Sequence, residues 1–206
     1  MNQKANVAGQ KTAERILDAA CACVRRDGYA ASNLVAIRKA ADVTTGSIYH
    51  AFEEGRAQIM AAVYTRWAAE LESQIAQVAL VKSRSLDDFL AKRLLPAYCQ
   101  WFAAERHRAA FMFEFEVLAT GTQHRMAVNG ARDAIQDLIR RKLAGVGVTE
   151  KFGIVSPALV EAVVLGPARR VIAVWALANT GAPTPMQQVP GLAKASAAAL
   201  HALFGD

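Results

Sequence analysis

The sequence has few of the residues that mark disulfide-bonded, β-rich or membrane-spanning proteins. Its 206 residues include three cysteines, six prolines and 7% aromatic residues. Such an odd, small number of cysteines does not indicate a disulfide framework, and we expect Cys21, Cys23 and Cys99 to pack in the core. The longest uncharged run, residues 171–193, contains Gly, Pro, Gln and Asn and is not a membrane span. The polar N-terminus lacks a signal-peptide pattern, so we expect a soluble, cytoplasmic protein.

Catalytic and metal-binding patterns are missing as well. The sequence has no G-x-S-x-G or Walker-type run and no pair of histidines at the helical spacing of metal ligands. Gly145 and Gly147 follow a predicted helix, and a loop at that helix end explains them better than a nucleotide site. We therefore predict no catalytic residue, no metal and no cofactor, and an all-helical enzyme is the less favoured alternative.

The positive charge of the chain is spread rather than concentrated. The net charge is +6 and the pI is about 9.5, which is compatible with a polyanionic partner. Residues 1–60 carry eight Lys/Arg against six Asp/Glu, a net of +2, which leaves +4 for the remainder. A solvated basic surface explains this distribution as well as nucleic-acid binding does.

What the sequence has in abundance is alanine and helical periodicity. Hydrophobic residues make up 53% of the chain, and an excess of alanine favours helices over strands, so we predict an all-α fold. After a flexible arm at residues 1–10, helices are predicted to begin near residues 12, 33, 44, 54, 86, 123, 156 and 189. Residues 111–118 alternate Phe with Glu and fit a strand as well as a buried helix. A helix is favoured there because a lone strand would have no partner.

Three short helices at the N-terminus have the layout of a DNA-reading unit. A helix-turn-helix places its second helix in the major groove while the first braces it against the backbone. The candidate recognition helix begins at Thr44 and runs to Ala51, and small or hydroxyl-bearing residues at its start allow close approach to base edges. Tyr49 and His50 can reach phosphate oxygens, while Ile48 and Phe52 would anchor the helix from behind. An ordinary helical hairpin would show much the same pattern.

The run from Arg15 to Ile59 resembles the N-terminal domain of the TetR family of transcriptional regulators. The matching positions are Ile16, Leu17, Ala19, Ala20, Gly28, Tyr29, Ile37, Ala41, Val43, Thr44, Gly46, Ser47, Ile48, Tyr49, His50, Phe52 and Ile59. The resemblance implies a DNA-binding domain at 1–56 and a helical ligand-binding and dimerisation domain at 57–206. The expected DNA-binding residues are Ser32, Asn33, Thr44, Thr45, Gly46, Ser47, Tyr49, His50 and Arg56.

Four positions depart from the family pattern. Arg38 stands where a small Ala is usual, and Asp42 replaces the usual turn Gly, which Asp tolerates because it can adopt the left-handed conformation. Ala51 replaces a common His or aromatic residue. Gly55 stands where the family usually has a phosphate-binding Lys, and we expect Arg56 to take over that contact. These departures motivate a rival interpretation, in which a helical partner- or ligand-binding protein has lost specific DNA binding.

By the same resemblance, the chain would be a ligand-responsive regulator that binds double-stranded DNA as a homodimer. Helices at about 156–180 and 189–204 would pair with those of a second copy, and the middle helices would enclose a small apolar or amphipathic effector. Repression is favoured over activation because a dimer covering a promoter needs no contact with polymerase. Aromatic side chains are the expected lining of the effector pocket: Phe89, Tyr98, Trp101, Phe102, Phe111, Phe115 and Trp175.

Overall fold

The computed structural model describes residues 2–78, 83, 85–144, 157–178 and 182–204, and these are helices and short connections without a strand. The all-α prediction is thus confirmed. The helices are α1 (Asn2–Ala31), α2 (Leu34–Ala41), α3 (Thr45–Ala51), α4 (Arg56–Val78), α5 (Leu86–Phe89), α6 (Leu95–Ala103), α7 (Arg106–Ala119), α8 (Arg125–Ala144), α9 (Pro157–Val160), α10 (Gly166–Leu177) and α11 (Pro185–Phe204). Leu90–Leu94 and Glu161–Leu165 form π-helical turns. Gly145, Gly147 and Ser156 lie outside the described residues.

Helix α1 is longer than the sequence pattern predicts. It begins at Asn2, so the prediction of a flexible arm at residues 1–10 is wrong. Gln3, Lys4 and Ala5 all favour helix and nothing after them breaks it, but they show no apolar periodicity from which a helix could be predicted. Gly28 has a positive φ of 78°, which ends the regular helix before a last turn to Ala31.

The first three helices share one small core. Ile16 of α1, Ile37 of α2 and Ile48 of α3 are each 0% exposed, and burying such a side chain contributes about 1.5–3 kcal/mol. Both short helices have side-chain caps, because Asn33 Oδ1 accepts from Ala36 N at 2.9 Å and Thr44 Oγ1 accepts from Ser47 N at 3.1 Å. The caps and the shared core hold α2 and α3 at a fixed angle.

The remaining helices build a larger core on α4. The predicted stripe of α4 is buried at Ile59, Val63, Trp67, Leu71 and Ile75. One side of α4 packs against α8 and another against α1, while α7 packs against α1 and α10, and α11 against α6 and α10. The Phe/Glu segment at 111–118 is helical, as predicted, and lies within α7. Cys21, Cys23 and Cys99 are buried free thiols, which confirms their predicted packing role.

Two features near the C-terminus differ from the sequence pattern in detail. Helix α11 begins at Pro185 and carries Pro190 within it, whereas the last helix was predicted from about residue 189. A proline at the first helical position fits the helix without loss of a hydrogen bond, so the start at Pro185 has a simple physical reason. No helix within the described ranges is long and apolar enough to span a bilayer.

Candidate DNA-binding surface and effector site

The turn between α2 and α3 is set by Asp42. Its backbone is left-handed, with φ 49° and ψ 57°, and its N–H bonds to the carbonyl oxygens of Arg38 and Lys39 at the end of α2. Val43 N also donates to Arg38 O at 3.3 Å. The expectation that Asp tolerates the place of a turn glycine is therefore confirmed. The three-residue turn brings Thr44 directly to the start of α3.

Helix α3 turns one face to solvent and the other to the core. Thr44, Thr45, Gly46, Tyr49 and His50 are exposed, Ser47 is half-buried and Ile48 is fully buried. A Cβ at Gly46 would come no closer than 3.8 Å to Thr44 Oγ1, so this glycine is not required by crowding. The exposed face consists of small, hydroxyl and aromatic side chains, as a helix that enters a groove requires.

Two of the predicted DNA-binding residues use their side-chain oxygens in hydrogen bonds within the protein. Ser32 is 0% exposed, and its hydroxyl donates to Gly28 O at 2.7 Å. Its side chain therefore stabilises the end of α1 and is closed off from DNA, because the hydroxyl that would bind a phosphate is used inside the protein. Asn33 beside it is exposed, but its Oδ1 caps α2, which leaves only its amide group for an outside contact.

Arg56 also faces inward, in contrast to its expected role as a phosphate contact. Its Nε donates to Ser32 O at 2.8 Å and its Nη2 to Tyr29 O at 2.7 Å. The guanidinium lies 4.2 Å from the centre of the Tyr29 ring. These contacts tie the start of α4 to the segment between α1 and α2, so the guanidinium is used as an internal brace rather than a replacement for the lysine absent at Gly55.

Gly55 itself has a conformational reason to be glycine. Its φ is +58°, and a Cβ there would lie 3.1 Å from Cε1 of Tyr49. The Tyr49 ring thus rests against the turn that joins α3 to α4. This contact fixes the ring while leaving 48% of the residue exposed.

The aromatic residues predicted to line the effector pocket fall into two packed groups. Phe111 and Phe115 stack at 5.3 Å and contact Tyr29 at 5.6 and 6.1 Å. Phe102 contacts Tyr98 at 5.0 Å and Trp101 at 4.8 Å. Phe89 is buried, and the Trp175 ring lies 5.5 Å from the guanidinium of Arg106. The first group joins α1 to α7, and its role in packing is evident from these contacts.

Next to Phe115 lies a partly buried polar network that the sequence pattern did not reveal, here called the central polar cluster: Tyr64, Glu116, Gln136, Glu161 and Arg169. Tyr64 Oη donates to Glu116 Oε1 at 2.7 Å, and Arg169 donates to Glu116 and lies 3.5 Å from Glu161. Gln136 donates to Glu161. Burial and the Glu116 charge raise the pKa of the Tyr64 phenol, so the phenol stays a donor.

Residues 16–63 match the family model described as bacterial regulatory proteins, tetR family. This match covers the N-terminal helices of the chain, which are therefore similar to the TetR-family DNA-binding domain. A comparison with curated proteins found no match. Among solved structures, similar folds are the fatty acid degradation regulator FadR from Bacillus halodurans (18% identity, 90% of this chain and 94% of that one, TM-score 0.71) and the transcriptional regulator FadR from Bacillus subtilis in complex with stearoyl-CoA (16%, 89% and 96%, 0.71). A putative TetR-family regulator from Syntrophomonas wolfei is also similar (15%, 93% and 95%, 0.62).

Two departures of this chain from the TetR-family pattern, Asp42 and Gly55, have a conformational basis. Asp42 adopts the conformation of the glycine it replaces, and Gly55 takes the place of a lysine in a left-handed turn. Arg38 is half-buried and its carbonyl closes the turn after α2. The other predicted contacts, Thr44, Thr45, Gly46, Ser47, Tyr49 and His50, share the exposed side of the helix-turn-helix and stay predictions as DNA contacts.

Proposed function

We propose that this protein is a TetR-family regulator, a repressor that binds a near-palindromic operator as a homodimer and leaves it when a small apolar or amphipathic effector binds. The observation that carries the proposal is the capped α2–turn–α3 unit, whose second helix exposes Thr45, Tyr49 and His50 over a core anchored by Ile48. A helix in this setting can enter the major groove.

The proposed contacts divide by chemistry. The Thr45 and Ser47 hydroxyls can donate to or accept from base edges, and the backbone at Gly46 can approach them closely. Tyr49 and His50 are exposed donors at the end of α3 and would bind phosphates, which positions the helix without reading sequence. The Tyr49 ring, fixed against Gly55, would hold its hydroxyl in place before DNA arrives.

Dimerisation is proposed through α10 and α11. Val174 and Leu177 on α10 and Leu203 on α11 are large apolar side chains that are 45–67% exposed, and an exposed apolar patch marks an interaction site. Two copies joined by these helices would place their two α3 helices in successive major grooves, about one helical turn apart. Leu177→Glu should yield monomers in sedimentation, whereas Leu118→Glu, at an exposed apolar position on α7, should leave the dimer intact.

The effector site is proposed at the central polar cluster, within the expected ligand-binding and dimerisation domain at 57–206. Glu116 and Glu161 face a single guanidinium, that of Arg169, so the cluster carries one formal negative charge. A ligand that reaches it should therefore offer hydrogen-bond donors, while its apolar part lies against the surrounding aromatic rings. The Bacillus subtilis FadR structure with stearoyl-CoA supports an amphipathic ligand with a long apolar chain.

Two contacts join the proposed effector site to the DNA-binding unit. Phe115, next to Glu116 in α7, packs on Tyr29 at 6.1 Å, and Tyr29 is held by the Arg56 brace. His124 at the start of α8 lies 2.8 Å from Glu54 in the turn after α3. A ligand that shifts α7 or α8 would therefore move α1 and the α3–α4 turn, which is the linkage between two sites that allostery requires.

The test is a fluorescence-anisotropy titration of the protein on DNA from upstream of its gene, with and without each of three probes: stearylamine and stearyl alcohol, whose head groups are donors, and stearoyl-CoA, the ligand in the Bacillus subtilis FadR structure. We expect specific binding by the wild type, loss in Ser47→Asp, and release by at least one probe. Glu116→Gln should keep DNA affinity and change the concentration of probe needed for release. Binding that equals that of Ser47→Asp on all duplexes at low salt would contradict the proposal and favour the interpretation that DNA binding has been lost.

A further inference from the structure

A hollow of about 650 Å³ lies between the first turns of α1 and the recognition helix. Ala8, Thr12 and Ala13 line it from α1, and Ser47 and His50 line it from α3. Ser47 and His50 also belong to the proposed DNA contacts, so the hollow is continuous with that surface. The sequence pattern predicts that the first helix begins near residue 12, but α1 begins earlier. Its additional N-terminal turns form one wall of the hollow, beside the exposed face of α3.

The side chains that line the hollow are mostly small and leave space for a polar ligand. Its α1 wall consists mainly of small residues, which are two alanines, Gly9 and Thr12, together with Gln10, and nothing lies within 4 Å of a Cβ placed at Gly9. Thr12 Oγ1 bonds to Ala8 O at 3.1 Å and so is already satisfied. The wall is therefore a smooth surface against which a sugar could pack, while Ser47 and His50 supply polar groups on the opposite side.

The charge beside the hollow is positive. Lys11 and Arg15 are exposed and lie one helical turn apart on α1, next to Ala8 and Thr12 on the helix surface. Within the described part of the chain neither has an ion-pair partner. The first acidic residue of the sequence is Glu14, and it is paired with Arg66, as is Asp18, whose carboxylate lies 2.5 Å from the guanidinium. Arg66 offsets one of these two negative charges, so with Lys11 and Arg15 the local net charge is positive (three cations against two carboxylates).

We propose that this hollow takes the sugar-phosphate backbone of the operator strand next to the groove that α3 enters, with Lys11 and Arg15 on its phosphates. The proposal rests on the proposed function, since it requires DNA binding by α3. It adds a third DNA-contacting element, α1, to the helix-turn-helix. Phosphate contacts of this kind set the register of the protein on the duplex and carry no sequence information.

The first experiment measures the salt dependence of DNA binding. Each phosphate contact contributes about 0.9 to the slope of log K against log salt, so losing one contact in each protomer of a dimer should lower the slope by about two. Lys11→Gln and Arg15→Gln should each show this change, on a duplex selected from a random-sequence pool and on an unselected 30-base-pair duplex. Arg141→Gln, an exposed charge in the last turn of α8, is the matched control and should leave the slope unchanged.

The second experiment fills the hollow. Ala8 is exposed, so Ala8→Phe should keep the wild-type circular dichroism and Tm while weakening binding of both duplexes by roughly tenfold, as expected from displacing phosphate contacts. Ala22→Phe, at an exposed position of α1 outside the hollow, is the matched control and should bind as the wild type does. Sequence preference in the selection should be the same for all variants.

The outcomes separate the two proposals. If the wild type binds no duplex, the proposed function fails. If the wild type binds and Lys11→Gln, Arg15→Gln and Ala8→Phe all behave like Arg141→Gln, the proposed function stands and the backbone-binding role of α1 is overturned.

Discussion

The inward contacts of Arg56 predict that its replacement by lysine destabilises the protein even though the charge is kept. A lysine ammonium can reach one of the two carbonyl oxygens at Ser32 and Tyr29 but cannot fork to both as the guanidinium does. A hydrogen bond from a charged group is worth about 1.5–3 kcal/mol, and the stacking on Tyr29 about 0.5–1 kcal/mol. Because the site is only half-buried, we take the lower values, and Arg56→Lys should lose about 2 kcal/mol.

The assay is urea unfolding at fixed protein concentration, followed by circular dichroism, with a thermal melt in parallel. For a chain of this length, a loss of this size lowers Tm by roughly 4–8 °C. The m-value should not change, because the same surface is exposed on unfolding. Arg141→Lys, at an exposed position in the last turn of α8, should unfold like the wild type.

The alternative expectation from the sequence was that Arg56 replaces the phosphate-binding lysine absent at Gly55. A phosphate contact would survive Arg56→Lys, since lysine binds phosphate as a point charge. If Arg56→Lys has wild-type stability and Arg56→Met loses DNA affinity without loss of stability, the brace is refuted and the phosphate contact is supported.

Four further perturbations test particular positions. Asp42→Gly should raise the free energy of unfolding by about 0.5–1 kcal/mol, because glycine adopts φ 49° without strain, and should tighten DNA binding at low salt; unchanged affinity would place the carboxylate away from DNA. Thr44→Ala should cost about 1 kcal/mol through the lost cap while Thr44→Ser should not, and equal stability of the two would contradict the cap. Gly55→Lys should lower stability by about 1 kcal/mol, because φ is +58°; a more stable variant would show that the turn relaxes. Burial raises the pKa of Cys21 to about 11 and of Cys99 to about 12, so neither thiol should react with a disulfide reagent at pH 8 until the protein unfolds. The free energy of unfolding should decline above about pH 9, because the thiols ionise first in the unfolded chain. Rapid labelling of the folded protein would contradict this.

The geometry of the three N-terminal helices could be predicted from the sequence because it depends on local sequence patterns. Asn33 and Thr44 are side-chain caps, Gly28 is a stop, and the burial of Ile37 and Ile48 follows from their spacing. Each of these depends on neighbours within a few residues, so the pattern determines the geometry. The sequence pattern places the start of α1 too late. Its first residues favour helix but form no apolar face, so hydrophobic periodicity cannot detect them.

The effector region was harder because it is built from long-range contacts. Glu116 meets Tyr64 and Arg169 across more than fifty residues of chain, and no spacing rule brings them together. The aromatic residues were chosen by type, and type does not distinguish a ring that lines a pocket from one that stacks in a core, as Phe111 and Phe115 do. Ser32 and Arg56 were misassigned for a related reason: both have the chemistry to bind phosphate, but tertiary contacts use that chemistry inside the protein.

The most direct test of the account is selection of bound DNA from a random-sequence pool with the purified full-length protein. We expect enrichment of a near-palindrome whose half-sites lie about one helical turn apart. Ser47→Asp, which places a negative charge on the DNA-facing side of α3, should abolish that enrichment. A wild-type pool that stays as random as the Ser47→Asp pool, at low salt, would contradict it.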